Sequence, residues 1–174
     1  RLLTLKYSRA VPLPHAALPS AEPFAGAIAF LERIGIPVRA ARLPQEECGS
    51  PGVSVHGAEL WIEPERLESV EALLWEAGRI ATAPPEERPH LFRLDRLAPA
   101  HSQGAELLTA AWAAAAALEL GRSTAFRDFF DGDPRSGVPL LQWAGMARQA
   151  GESEDSSDCE GRPVYPHMLH WLRP

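Results

Sequence analysis

The stretch Glu71-Ala72-Leu73-Leu74-Trp75-Glu76-Ala77-Gly78-Arg79-Ile80-Ala81-Thr82 decides how this chain is read. Leu67, Val70, Leu74, Ala77 and Ala81 recur at helical spacing, so one stripe faces a core. The pattern predicts an amphipathic helix with Trp75, Glu76 and Arg79 on its other side. Trp75 and Arg79 are one turn apart and share a strip of surface. Immediately upstream, Gly52-Val53-Ser54-Val55 and Ala58-Glu59-Leu60-Trp61-Ile62 are short β-prone runs around His56-Gly57, which reads as a hairpin turn. Glu63-Pro64 closes the second strand and opens the helix, with Pro64 near its first position and Glu65 and Glu68 favourable to the dipole there.

Further out, residues 1–20 carry Pro12, Pro14 and Pro19 and read as an irregular segment, with a short strand at Leu2–Tyr7. Ser20 or Glu22 caps a helix that has Pro23 in its first turn; Phe24, Ala27, Ile28, Leu31 and Ile34 face inward and Gly35 ends it. Residues 36–43 form a strand entered through Pro37. Four prolines make 82–99 a loop, with at most one turn at His90–Arg96. Ser102 caps the next helix, Gln103–Leu120, which is apolar nearly all round and so buried between layers. Gly121 terminates it. Short helices are expected from Ser123 or Thr124 through Phe130 and over Val138–Gln149. Residues 151–161 read as a mobile acidic linker, and 163–174 as a short aromatic helix that docks back on the domain. The fold class expected is α+β: one domain, 1–174, with a mixed or antiparallel sheet of three to four strands packed against several helices.

The segment Trp75-Glu76-Ala77-Gly78-Arg79 resembles the H-E-A-G-H helix of the H-E-x-x-H zinc metallopeptidases, with both histidines replaced. In that motif two histidines on one helix face hold zinc and the glutamate acts as general base. Trp and Arg cannot take over: the indole nitrogen only donates, and the guanidinium stays protonated. The phrase Gly104-Ala105-Glu106-Leu107-Leu108-Thr109 resembles the glutamate-bearing helix of small bacterial zincin-like (ImmA–IrrE-like) proteins, and the hairpin-then-helix order is where such enzymes set a sheet edge beside the metal helix. The resemblance covers roughly residues 24–172, but its chemistry lies in these two helices. It implies a vestigial cleft of Trp75, Arg79 and Glu106, with Glu76 as the vestigial general base and no metal or other cofactor. Two carboxylates left without zinc would call for a positive charge. Arg79 is therefore expected to pair with Glu106 or Glu76, and Trp75 to plug the cleft. The bland alternative is an ordinary amphipathic helix, with Glu106 favourably placed at a helix N-terminus.

His56, His90 and His101 are the candidates for recruiting a metal by other means, but none shows ligand spacing with another. His167 and His170 read as an exposed pair, and Asp131-Gly132-Asp133 as a turn lacking the rest of a calcium loop. No G-x-S-x-G nucleophile motif or phosphate loop is present. Trp143, Tyr165 and Trp171 are either a binding patch near an acidic rim or, more simply, packing.

The 174 residues are enough for one domain with a real core. A net charge of −6 argues against a nucleic-acid backbone as the main partner. Arg outnumbers Lys sixteen to one, the mark of a GC-rich bacterial genome rather than of a function. Cys48 and Cys159 form neither a metal motif nor a disulfide framework. No apolar run is long enough to span a bilayer, and the first residues lack the apolar core of a signal peptide. These features predict a cytoplasmic protein with no membrane partner. The function expected is a non-catalytic pseudo-metallopeptidase domain that binds a protein or peptide. The alternatives are a zinc hydrolase with non-standard ligands, using Glu76 as base, and a structural or oligomerising module.

Overall fold

In the computed structural model, which describes residues 10–13, 17–44, 50–91, 103–122, 126, 137, 141, 144–146 and 168–174, the β-prone runs pair as a single mixed sheet. Its strands are β1 (Val11–Pro12), β2 (Val38–Arg42), β3 (Val53–His56) and β4 (Glu59–Ile62), in the order β1-β2-β4-β3. β1 runs antiparallel to β2, β2 parallel to β4, and β3 antiparallel to β4. The hairpin therefore folds outward, and β3 lies beyond β4 at the end of this order. Alternation places Val38, Ala40, Val53, Val55, Leu60 and Ile62 on one face, all buried. The other face carries Arg39, Glu59, Trp61 and His56, with the His56 and Trp61 rings stacked at 4.2 Å.

Two helices, α1 (Phe24–Arg33) and α2 (Val70–Thr82), pack on the sheet, and α3 (Gln103–Glu119) packs against α2. This is an α+β fold, as the sequence predicted. From Ala110 to Ala117 every residue of α3 is shielded from solvent, which explains why that helix shows almost no polar side. Gly121 ends it, with Gly121 N–H bonded to Leu118 and Arg122 N–H to Ala117. Arg122 reaches back from there to Glu71, its Nε 3.0 Å from the carboxylate. The end of α3 thus lies beside the start of α2, and the two helices are antiparallel.

Several local expectations are corrected. α2 does not open at Pro64. Residues Pro64–Arg66 form a separate 3-10 turn, Leu67 is extended, and the helix starts at Val70 behind Ser69. The Ser69 hydroxyl accepts from Ala72 N–H at 3.1 Å, a cap that a Pro-at-first-position reading overlooks. What fixes the break is Gly52 at φ +72°: a Cβ there would stand 2.5 Å from the backbone of Arg66. Only glycine admits that approach and that conformation. Arg66 braces the same corner, donating to Leu43 O and to the Glu63 carboxylate, each at 2.9 Å.

α1 starts at Phe24 with Pro23 as N-cap and no side-chain cap bond, so neither Ser20 nor Glu22 serves as one. Val11–Pro12 joins the sheet inside the stretch read as irregular, because a two-residue edge needs no alternating pattern to be recruited. Residues 168–174 dock on the domain but are not helical. The N–H groups of Leu169 and His170 bond to Met146 O and that of Arg173 to Ala81 O, so they serve docking and not a helical ladder. The helix expected over Val138–Gln149 does not run through Ala144-Gly145, which form a turn with Gly145 at positive φ. The Leu2–Tyr7 strand and the acidic 151–161 linker lie outside the described residues; of the helix expected through Phe130 only Phe126 is described, a turn residue at φ 62° and not a helical one. No helix among those described is long and apolar enough to cross a membrane.

Candidate functional site

The sequence sets Glu76 on the polar side of α2; the structure turns it inward. Only 1% of its surface is exposed. The reason is that α2 has two packed flanks. Gly78 meets Thr109 and Trp112 of α3, while Val70, Leu73, Leu74, Ala77 and Ala81 belong to the buried core. Glu76 falls near the first turn of chain that leads into β3. Its Oε1 accepts from the Ser50 hydroxyl at 3.2 Å, and its Oε2 accepts from Arg79 Nη1 at 3.1 Å. Burial of a lone carboxylate costs several kcal/mol, so this pairing is a condition of the fold.

Arg79 therefore pairs with Glu76, and only 13% of its side chain is exposed. This is one of the two partners the sequence offered; Glu106 is not involved. Glu106 is exposed in the first turn of α3. A Cβ on Gly78 would meet Thr109 O at 3.0 Å and Trp112 Cε3 at 3.3 Å, which fixes the register of the two helices. At 1.5 Å per residue in an antiparallel pair, Glu106 lies roughly 10 Å along the axis from the level of Glu76. Of the residues expected to share a cleft, Glu76 and Arg79 thus stand together with Ser50, and Glu106 stands apart. Trp75 is half-buried, with its ring stacked on Phe126 at 6.2 Å and 24°.

These residues do not fit a zinc ion. Trp75 has no lone pair to give, Arg79 brings a positive charge to the place, and both oxygens of Glu76 already accept hydrogen bonds. Among the described residues no group of three or more His, Cys, Asp or Glu side chains is placed to hold a metal. His56 ends β3 and stacks on Trp61, while His90 is exposed in the 3-10 turn Arg88–His90. His170 is exposed in the docked segment. His101, His167, Cys48, Cys159, Asp131, Asp133, Trp143 and Tyr165 lie outside the described residues. Trp171 packs against α1 and α3.

Two further charge features shape the surface. Arg39 grips Glu59 with both ends of its fork, at 2.7 and 3.0 Å, across the parallel β2–β4 pair. The hydrogen bond from Arg39 holds the Glu59 carboxyl below its ordinary range, against the opposing pull of burial. Arg88 is lowered from its usual value, first by burial and then by the charge of Arg173. Sequence reasoning missed Ser50 as a partner of Glu76. A serine in the loop before β3 carries no periodic signal, and only the packing of β3 against α2 brings it there.

Comparison of the chain with protein-family models, with curated proteins and with solved structures found no match.

Proposed function

We propose that this chain is a zincin-like domain in which a buried ion pair occupies the place of a metal, and that it binds a protein or peptide without hydrolysing it. The observation that carries the reading is the Ser50–Glu76–Arg79 constellation. A carboxylate buried to 1% exposure is costly, and a helix needing only to pack would place an apolar residue there. The motif order supports the ancestry: hairpin, β3 beside α2, and Trp75, Glu76 and Arg79 at the positions of the two ligands and the base. Chemistry supports the loss of hydrolysis, since no residue of the group can polarise a carbonyl as a Lewis acid would.

Two measurements test this reading. Elemental analysis after zinc supplementation and dialysis should give substoichiometric metal; about one zinc per chain would instead favour the hydrolase reading with Glu76 as base. A photo-crosslinking amino acid at position 75, expressed in the producing cells, should yield a discrete adduct that disappears with Arg79→Ala. The same probe at exposed Glu65 should not yield it. Equal labelling from both positions, or no adduct from position 75, defeats the binding proposal.

A further inference from the structure

The Glu76–Arg79 pair is graded in depth. Glu76 is 1% exposed and the Arg79 side chain 13%, so the acid lies inside and the cation stands between it and solvent. Both carboxylate oxygens are engaged, Oε1 by the Ser50 hydroxyl at 3.2 Å and Oε2 by Arg79 Nη1 at 3.1 Å. The guanidinium is engaged on one side only. It carries five N–H donors in a planar fork. Among the described residues Arg79 donates through Nη1 to Glu76 alone. Its Nε and Nη2 make no such bond and are not sealed from water, so their N–H groups reach the surface.

Neutralising Glu76 takes only one edge of that fork, and the buried acid has a second consequence. It sits three residues before Arg79 on the same helix and holds the guanidinium in one orientation. That removes the ordering cost which a flexible arginine meets when it binds a ligand. The surface therefore presents an oriented guanidinium edge, and the group that matches such an edge is an oxyanion. Charge selects among oxyanions. With Glu76 behind Arg79, a bound monoanion leaves the three groups with one net negative charge, whereas a phosphate dianion leaves about two. Trp75 stands one turn before Arg79 on the same strip of α2, half-buried, with its ring stacked on Phe126. An aromatic surface at that distance suits an apolar group next to the anion.

We propose, on the strength of the partner-binding reading above, that Arg79 is the residue that recognises the partner and that the group it recognises is a carboxylate. The carboxylate belongs to an acidic side chain or to a chain terminus of the partner, with an apolar group beside it for Trp75. Glu76 and Ser50 position the fork without touching the ligand.

NMR of the whole 174-residue chain tests this through the Arg79 Nε–H signal, with exposed Arg33 in the same spectrum as the measure of nonspecific ion pairing. The probes, titrated at constant ionic strength, are N-acetylphenylalanine, with a main-chain carboxylate; its amide, which lacks the charge; the α-amide of N-acetylphenylalanylglutamic acid, with a side-chain carboxylate; and inorganic phosphate. The Arg79 signal should move saturably with a carboxylate probe at concentrations of order millimolar while Arg33 stays in place, and the uncharged amide should bind at least about tenfold more weakly. The tighter of the two carboxylate probes tells a chain terminus from an acidic side chain. No saturable shift at Arg79, an equal shift at Arg33, equal binding of the amide, or phosphate binding tighter than either carboxylate overturns the proposal. The crosslinking test stays separate. An adduct at position 75 with an indifferent Arg79 refutes the carboxylate assignment and leaves the partner-binding reading standing, whereas a responsive Arg79 with no adduct defeats that reading and keeps the carboxylate site.

Discussion

Replacing Arg79 by methionine keeps a long side chain on α2 but takes from the Glu76 carboxylate its charged partner, leaving the Ser50 hydroxyl bond in place. Two unit charges about 4 Å apart attract by about 4 kcal/mol at an effective dielectric near 20. Breaking a buried pair from one side costs about 3–5 kcal/mol. Retention of the Ser50 bond and the partial exposure of Arg79 reduce this, so Arg79→Met should cost about 2–4 kcal/mol. Glu76→Gln keeps an oxygen for Ser50 and should cost about 1–2 kcal/mol. Removing both partners in Glu76→Leu/Arg79→Leu should come close to wild type, because apolar replacement of a whole buried pair is often neutral. Urea unfolding followed by circular dichroism reads all three from the midpoints, provided the slopes agree. If Arg79→Met shifts stability by under about 0.5 kcal/mol, the pair behaves as an exposed one and the reasoning fails.

Three smaller expectations follow from the same geometry. Gly78→Ala should fall within about 1 kcal/mol of wild type, since helix propensity gains about 1 kcal/mol while Thr109 O must yield. Gly78→Leu should cost about 2–3 kcal/mol or more, and a stable leucine variant would mean that α2 and α3 are not in close contact. Ser69→Ala should cost about 1 kcal/mol by thermal unfolding through loss of the Ala72 cap bond; no change would show that α2 does not depend on this cap. Glu59 has a lowered folded-state value, so its contribution is full above the ordinary carboxylate value and fades as pH falls through the lowered one. Glu59→Gln should therefore be less stable than wild type near neutral pH and indistinguishable from it in acid. A difference that persists in acid would refute the Arg39–Glu59 assignment.

Periodicity made α2, α3 and the β3–β4 hairpin legible, because each buries a face whose spacing survives in the sequence. Gly35, Gly57 and Gly121 mark the turns as expected, all at positive φ. Two kinds of feature escaped. Places where one backbone touches another, such as Gly52 against Arg66, leave only a glycine and no pattern. Places where a polar side chain is turned inward by tertiary contact run against the pattern. Glu76 is the instructive case: its position relative to the apolar stripe of α2 is polar, yet β3 and the Ser50 loop cover it. Glu106 shows the converse, since the resemblance placed it near Glu76 and helix register carries it away.

That contrast bears on how much of the Trp-Glu-Ala-Gly-Arg resemblance carries functional weight. Ala77 is wholly buried, and Gly78 lies under Thr109 O at a distance that a Cβ would bring to 3.0 Å. Close helix packing alone demands a small pair there, whatever the ancestry of the helix. The Ala-Gly half of the motif is therefore accounted for by packing and argues for nothing further. Glu76 is different, because packing gains nothing from a charge that must then be neutralised. Arg79 is explained once Glu76 is given, since it lies one turn away and supplies the neutralising fork. The weight of the functional reading thus rests on one buried carboxylate. For that reason the double variant Glu76→Leu/Arg79→Leu is the informative one for binding: if it keeps wild-type stability but loses the adduct at position 75, the carboxylate is retained for recognition and not for the fold.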